Sequence, residues 1–188
     1  MYSAFILLRS NVNFSMRSFY CVRVCFPERE MPTKREWGPP LWKILHGITE
    51  SLGNQTNNML STDEAHEIVF ILRDVDKVMP CALCRSHYNT WRKHHPIEAL
   101  DKLRGPMLRD AVRKWLYELH EDVNSRNEVV SGLTEEQLRE IYLAVDIRTE
   151  WASFLTKIKQ STEVGLVSQV VLTNFHRHLG ILRKLIGR

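Results

Sequence analysis

Past Trp37 the apolar residues of this chain recur at steps of three and four, and no segment alternates apolar with polar over the length of a strand. That periodicity leaves an all-α fold, and turn and cap signals divide it. Gly38-Pro39-Pro40 reads as a turn and a helix start, with proline where its missing N–H costs nothing. A first helix over residues 41 to about 52 follows, carried by Leu41, Trp42, Ile44, Leu45 and Ile48 and stopped by Gly53-Asn54. Ser61-Thr62-Asp63-Glu64 has the form of a capping box and is expected to open a second helix, to about residue 78. Pro80 breaks that helix; a third starts around Cys81 and runs to His94 or His95, and a fourth covers about 107 to 125. A second box, Thr134-Glu135-Glu136-Gln137, starts a short fifth helix to about residue 147, after which Trp151, Phe154, Leu155 and Ile158 keep the rhythm. Residues 164 to 186 form a basic amphipathic helix, with Val167, Val171, Phe175, Leu179, Leu182 and Ile186 on one side. Several short connections favour an antiparallel bundle.

The 188 residues suffice for one compact domain with a proper core, and 44% hydrophobic with 26% charged residues excludes disorder throughout. Three stretches are expected: a flexible leader over 1–35, the main helical bundle over 36–147, and a helical extension over 148–188. The leader opens on Met1-Tyr2-Ser3-Ala4-Phe5-Ile6-Leu7-Leu8, carries Arg9 and Arg17, and has no acidic residue before Glu28. That pattern also fits a weak mitochondrial-type presequence or a poor signal peptide, and Met31 is an alternative start. The formal charge of +4 is mild and gathered at both ends, so no nucleic-acid partner is expected. Cofactor phosphates or a membrane surface suit it as well. No apolar run approaches the roughly 18 residues of a membrane span. For the last helix, extra bundle packing is favoured over a dimer or partner surface, and a membrane-surface role comes last.

The four cysteines fall into two close pairs, Cys21/Cys25 and Cys81/Cys84. A bridge between near neighbours closes a small loop and removes little unfolded-state entropy, so such pairs favour thiol exchange or metal binding over stapling. Cys81 and Cys84 share a face in the first turn of the third helix, where free N–H groups and the positive end of the helix dipole stabilise a thiolate. Trp42 and His46 lie upstream, Trp115, His120 and Asn124 downstream. Singly each would be a core tryptophan or a surface histidine; together they supply stacking surfaces and hydrogen-bond donors for a planar ring system and its phosphates. The pattern reads as redox chemistry beside an aromatic cofactor. The rival is a non-enzymatic zinc-binding or scaffold module in which both pairs supply thiolates. The Arg23-centred gap of Cys21-Val22-Arg23-Val24-Cys25 lacks the turn residues of a zinc knuckle, so no metal is expected. That pair is either a shuttle dithiol that ferries electrons to Cys81 or incidental. A thioredoxin-like fold would need βαβ patterning, which is missing.

Four motifs come in order over residues 37 to 130: Gly38…Trp42-x-x-Leu45-His46, Pro80-Cys81-x-x-Cys84, His95-Pro96, and Trp115…His120-x-x-Val123-Asn124-x-Arg126. In that combination the chain resembles the Erv/ALR family of FAD-dependent sulfhydryl oxidases, and Trp37-Gly38-Pro39-Pro40-Leu41-Trp42-Lys43 is similar to the versions of large cytoplasmic DNA viruses. The resemblance implies a four-helix bundle with a short fifth helix, a homodimer, and FAD as cofactor. The C-terminal amphipathic helix is an addition to that fold. The resemblance further implies a thiol oxidase that forms disulfides in dithiol-containing protein substrates, passing electrons through the Cys81–Cys84 disulfide and FAD to O2 and giving hydrogen peroxide. Cys84 would face the flavin and Cys81 would exchange with incoming dithiols. Gly38, Trp42, His46, Trp115, His120, Val123 and Asn124 would line the FAD, Arg126 would lie near its phosphates, and His95, or His94 with a shifted loop, would take a further position beside the cofactor. Host cytoplasm or virion would be the setting of a viral member, the mitochondrial intermembrane space that of a cellular one. No cysteine follows Cys84, so the family's common additional structural disulfide cannot form, and nothing after about residue 145 has a counterpart.

Overall fold

The computed structural model describes residues 31–188 and, among them, contains helices and no strand, as the periodicity requires. The leader's Cys21 and Cys25 lie outside the described residues. Seven α-helices follow in order: α1 Lys34–Thr49, α2 Asn58–Val78, α3 Ala82–His94, α4 Gly105–Arg126, α5 Glu135–Tyr142, α6 Ile147–Glu163 and α7 Gln169–Leu185, with a 3₁₀ turn at Leu100–Lys102.

Several boundaries differ from the sequence reading, each for a local reason. α1 starts seven residues before Leu41, and Gly38, Pro39 and Pro40 lie inside it. Thr33 and Glu36 form the capping box that opens it, the Glu36 carboxylate accepting the Thr33 N–H at 2.7 Å. The two prolines leave the carbonyls of Arg35 and Glu36 without their i+4 donors, and both residues are exposed, so water can serve instead. α2 opens at Asn58, with the Asn57 side chain accepting from the N–H groups of Met59 and Leu60 at 2.8 and 3.2 Å. Ser61 and Glu64 are therefore not its cap. Ser61 Oγ donates back to the Asn58 carbonyl, and Glu64 Oε1 accepts the Gly53 N–H at 2.9 Å. Gly53 has φ +79°, and a Cβ there would collide with the Gly105 carbonyl, so this glycine is fixed by both conformation and space. α5 stops at Tyr142 rather than near 147, because Asp146 caps a separate α6 by accepting the Arg148 N–H at 3.0 Å.

α1 packs chiefly on α6 and α2 on α7, while α4 leans on α1. The approach of α1 to α6 depends on Gly47, where a Cβ would stand 2.7 Å from Ile147 Cδ1. One apolar cluster runs from Trp37 and Leu41 through Ile68, Leu72 and Leu116 to Phe154, Phe175 and Leu182. Residues of α6 and α7 thus belong to the same core as α1 and α2. The apolar side of α7, with Leu172, Phe175, Leu179 and Leu182, is buried in the bundle. Full burial of a side chain such as Phe175 stabilises by about 1.5–3 kcal/mol. Among the described residues no helix is long and apolar enough to cross a membrane.

Candidate active site

Pro80 determines where the dithiol stands. It forces Met79 into extended backbone, ψ 127°, which ends α2 and turns the chain toward α3. Cys81 is then the N-cap of α3, and its sulfur accepts the Cys84 N–H at 3.1 Å. Cys81 and Cys84 are joined in a disulfide, with 5.2 Å between their Cα atoms, and both are half-buried. Placing the pair at a helix N-terminus aims backbone N–H groups at the sulfur that would become anionic on reduction.

The disulfide borders a cavity of about 870 Å³, within the roughly 300–1,000 Å³ usual for ligand sites. α1 contributes Trp42, Gly38, Leu41 and Leu45 to its walls, α3 contributes His87 and Tyr88 beside the cysteines, and α4 contributes Leu119, Val123, Asn124 and Arg126. Lys34 and Arg35 also reach it. The walls are thus apolar and aromatic, with three cations and one carboxylate, Asp122, which Arg126 holds at 2.8 Å through Nε. At Gly38 no protein atom lies within 4 Å of where a Cβ would stand. Packing within the protein does not ask for glycine there, whereas an occupant seated against the backbone would.

Of the residues singled out in the sequence, Gly38, Trp42, Cys81, Cys84, Val123, Asn124 and Arg126 meet at this cavity. His46, His95, Trp115 and His120 do not line it. His120 lies flat behind Trp42, ring centres 4.1 Å apart and planes 4° from parallel. His46 sits deeper, without solvent exposure, its Nε2 3.3 Å from His120 Nδ1 and its ring stacked on Tyr142 at 4.5 Å. Trp115 Nε1 donates to the His95 carbonyl at 2.9 Å, and the His95 ring stacks on Trp91. Trp115 also meets Tyr88 edge-on at 6.1 Å. These four residues thus back the walls that Trp42 and Tyr88 present. His87 and Tyr88, three and four residues past Cys84, were missed, although i+3 and i+4 spacing puts them on the face that Cys84 occupies. Lys34 and Arg35 were missed because α1 was expected to begin later.

Burial and the neighbouring His120 push His46 down to about 3, and burial also lowers His120. Both rings are therefore neutral near pH 7. In the unfolded chain His46 takes up its proton near 6.5, so between 6.5 and 3 the unfolded state binds the extra proton and folding weakens as pH falls. We expect urea melts to lose up to about 1.4 kcal/mol per pH unit in that window. His46→Leu should flatten the slope; an unchanged slope in that variant would show that other groups carry it.

The Erv1 / Alr family model matches residues 39–142, just over half of the chain. The chain belongs to the Erv1/Alr family. Members of this family are in general FAD-binding sulfhydryl oxidases. No curated protein and no solved structure gives a significant match. The matched segment contains Trp42, both cysteines of α3 and the α4 wall, and it stops at Tyr142, the last residue of α5; α6 and α7 lie beyond it. The all-helical fold expected from the resemblance agrees with the structure. Among the described residues no three His, Cys, Asp or Glu side chains cluster so as to hold a metal ion.

Proposed function

We propose that this protein is an FAD-linked thiol oxidase that makes disulfides in dithiol-containing protein substrates. The observation that carries the reading is the Cys81–Cys84 disulfide at the mouth of α3, opening on a cofactor-sized cavity with an indole wall and cationic rim. The residues present fit FAD. Trp42, Tyr88, Leu119 and Val123 offer apolar and aromatic walls for a flat ring system, Asn124 offers a carboxamide, and Lys34, Arg35 and Arg126 offer charge for its phosphates.

The chain's own part is thiol–disulfide exchange. A substrate thiolate attacks Sγ of Cys81, forming a mixed disulfide and breaking the Cys81–Cys84 bond, and Cys84 leaves as a thiolate. The second substrate thiolate attacks the substrate sulfur of the mixed disulfide, releasing oxidised substrate and leaving Cys81 reduced. Two electrons then reside on the Cys81/Cys84 pair. When bound, FAD would accept those two electrons and hand them to O2, giving hydrogen peroxide. The backbone N–H of Cys84 favours the Cys81 thiolate, which makes Cys81 the better leaving group when the oxidised substrate is released. Trp42 and Tyr88 line the cavity that the sulfurs border, and the His120 and Trp115 rings pack behind them.

Purified protein supplied with FAD should be yellow and should consume oxygen when given a dithiol. The decisive measurement is the visible spectrum after removal of free cofactor, followed by an oxygen electrode trace. A colourless preparation that binds no flavin would sink the proposal, and stoichiometric zinc in its place would select the scaffold reading.

A further inference from the structure

A second cavity, of about 280 Å³, lies where the turn between α5 and α6 meets the end of α7. Arg148, Arg183 and Arg188 all line it. Arg188 donates to the carbonyls of Leu143, at 2.8 Å, and Val145, which fixes its guanidinium beside the end of α5. Arg183 donates through Nη2 to the backbone oxygen of Arg188 at 3.3 Å, and its Nε is buried without a hydrogen-bond partner. The Arg148 guanidinium makes no hydrogen bond or ion pair with any other described residue. One carboxylate lines the cavity, that of Asp146, and it is already engaged: Oδ1 accepts the Arg148 N–H and Oδ2 the Thr149 hydroxyl at 2.7 Å.

Three guanidinium groups sharing a small space with one occupied carboxylate repel one another, and a buried, unpaired N–H is costly. Burial, and then the Arg148 charge, hold Arg183 below the ordinary range of a guanidinium. An oxyanion in the cavity would relieve the repulsion, since it accepts from several guanidinium N–H groups together. The guanidinium fork matches the paired oxygens of a phosphate.

From this arrangement we infer a binding site for a phosphate group, held between the guanidinium groups of Arg148 and Arg183. Its source is either a small soluble phosphate or a phosphate headgroup at a membrane surface, and the two separate experimentally. The full chain is titrated with sodium phosphate by calorimetry and thermal melting, against sodium chloride of equal ionic strength. Saturable binding that raises the melting temperature is expected. Arg148→Gln, at an exposed position, should weaken phosphate binding about tenfold or more while the melting temperature without phosphate does not fall, since one of the repelling charges is gone. Arg183→Gln should abolish binding, and Lys114→Gln, an equal charge change on exposed α4 surface, should leave it unaltered. Vesicles of phosphatidylcholine with and without phosphatidic acid form the second arm. Binding to free phosphate alone identifies a soluble ligand; Arg148-dependent binding to phosphatidic acid vesicles identifies a headgroup. A phosphate response equal in wild type and Arg148→Gln, or no Arg148-dependent response in either arm, overturns the site.

Discussion

Cys84→Ser should leave a yellow, folded protein that no longer consumes oxygen with a dithiol, its turnover reduced by about a thousandfold or more. A serine cannot form the disulfide that incoming thiolates must break, so no electron pair can be collected on α3. Cys81→Ser should lose turnover to the same extent, because the two sulfurs act as one unit and their effects do not add. Neither variant should fail for want of folding. A bridge three residues apart closes a very short loop, so its loss costs about 2 kcal/mol on the chain-entropy account, and the two cysteines only flank the core around Ile44, Leu72 and Leu116, where serine is close in size. Flavin absorbance measured beside oxygen consumption separates the two effects. Retained turnover in Cys84→Ser would remove the role assigned to that residue, and loss of flavin together with turnover would move the cysteine's contribution from electron transfer to binding.

Much of this architecture was legible because the 3.6-residue period is a global signal. The cores of α1, α2, α4, α6 and α7, from Ile44 to Phe175, follow apolar spacing. Helix ends rest on single side chains, and there the reading slipped. Ser61-Thr62-Asp63-Glu64 has the composition of a cap, yet Asn57 takes the free N–H groups four residues earlier and Glu64 is drawn to Gly53. Asp146 likewise divides α5 from α6 within what looks like one rhythm. The site shows the same division. Gly38, Trp42, Val123, Asn124 and Arg126, which the family motifs pointed to, reach the cavity, whereas His46 and His120 belong to the same motifs and lie at a different depth. Depth depends on how α1 is rotated against α4 and α5, and a one-dimensional period does not contain that angle. The arginine cavity was invisible for a related reason: Arg148, Arg183 and Arg188 are brought together only when α7 folds back onto the α5–α6 turn.

A buried ion pair ties the end of α1 to α4 beside the His46–His120 contact, and Arg113→Ala should be among the most damaging single changes in the bundle. Glu50, at the end of α1, has no solvent exposure at its side chain, and Arg113 on α4 has 14%. They meet as a two-pronged pair, Nε to Oε1 at 2.8 Å and Nη2 to Oε2 at 2.6 Å, and Asp110 adds a second acceptor at 3.1 Å. The Glu50 carboxylate raises the affinity of Arg113 for its proton further. Removing the guanidinium leaves a carboxylate buried without a counter-charge, a situation that costs about 3–5 kcal/mol. Removing both charges is a different matter. Glu50→Leu with Arg113→Met exchanges the pair for apolar groups of similar length, and such exchanges are often neutral or mildly stabilising. We expect urea melts to place Arg113→Ala about 3 kcal/mol or more below wild type and the double variant near wild type. The cavity gives an independent readout, since Trp42 and Val123 stand on the two helices that this pair joins. Flavin retention should fall with stability in Arg113→Ala and return in the double variant. A double variant as unstable as Arg113→Ala would mean that the pair sets helix geometry in a way apolar packing cannot reproduce.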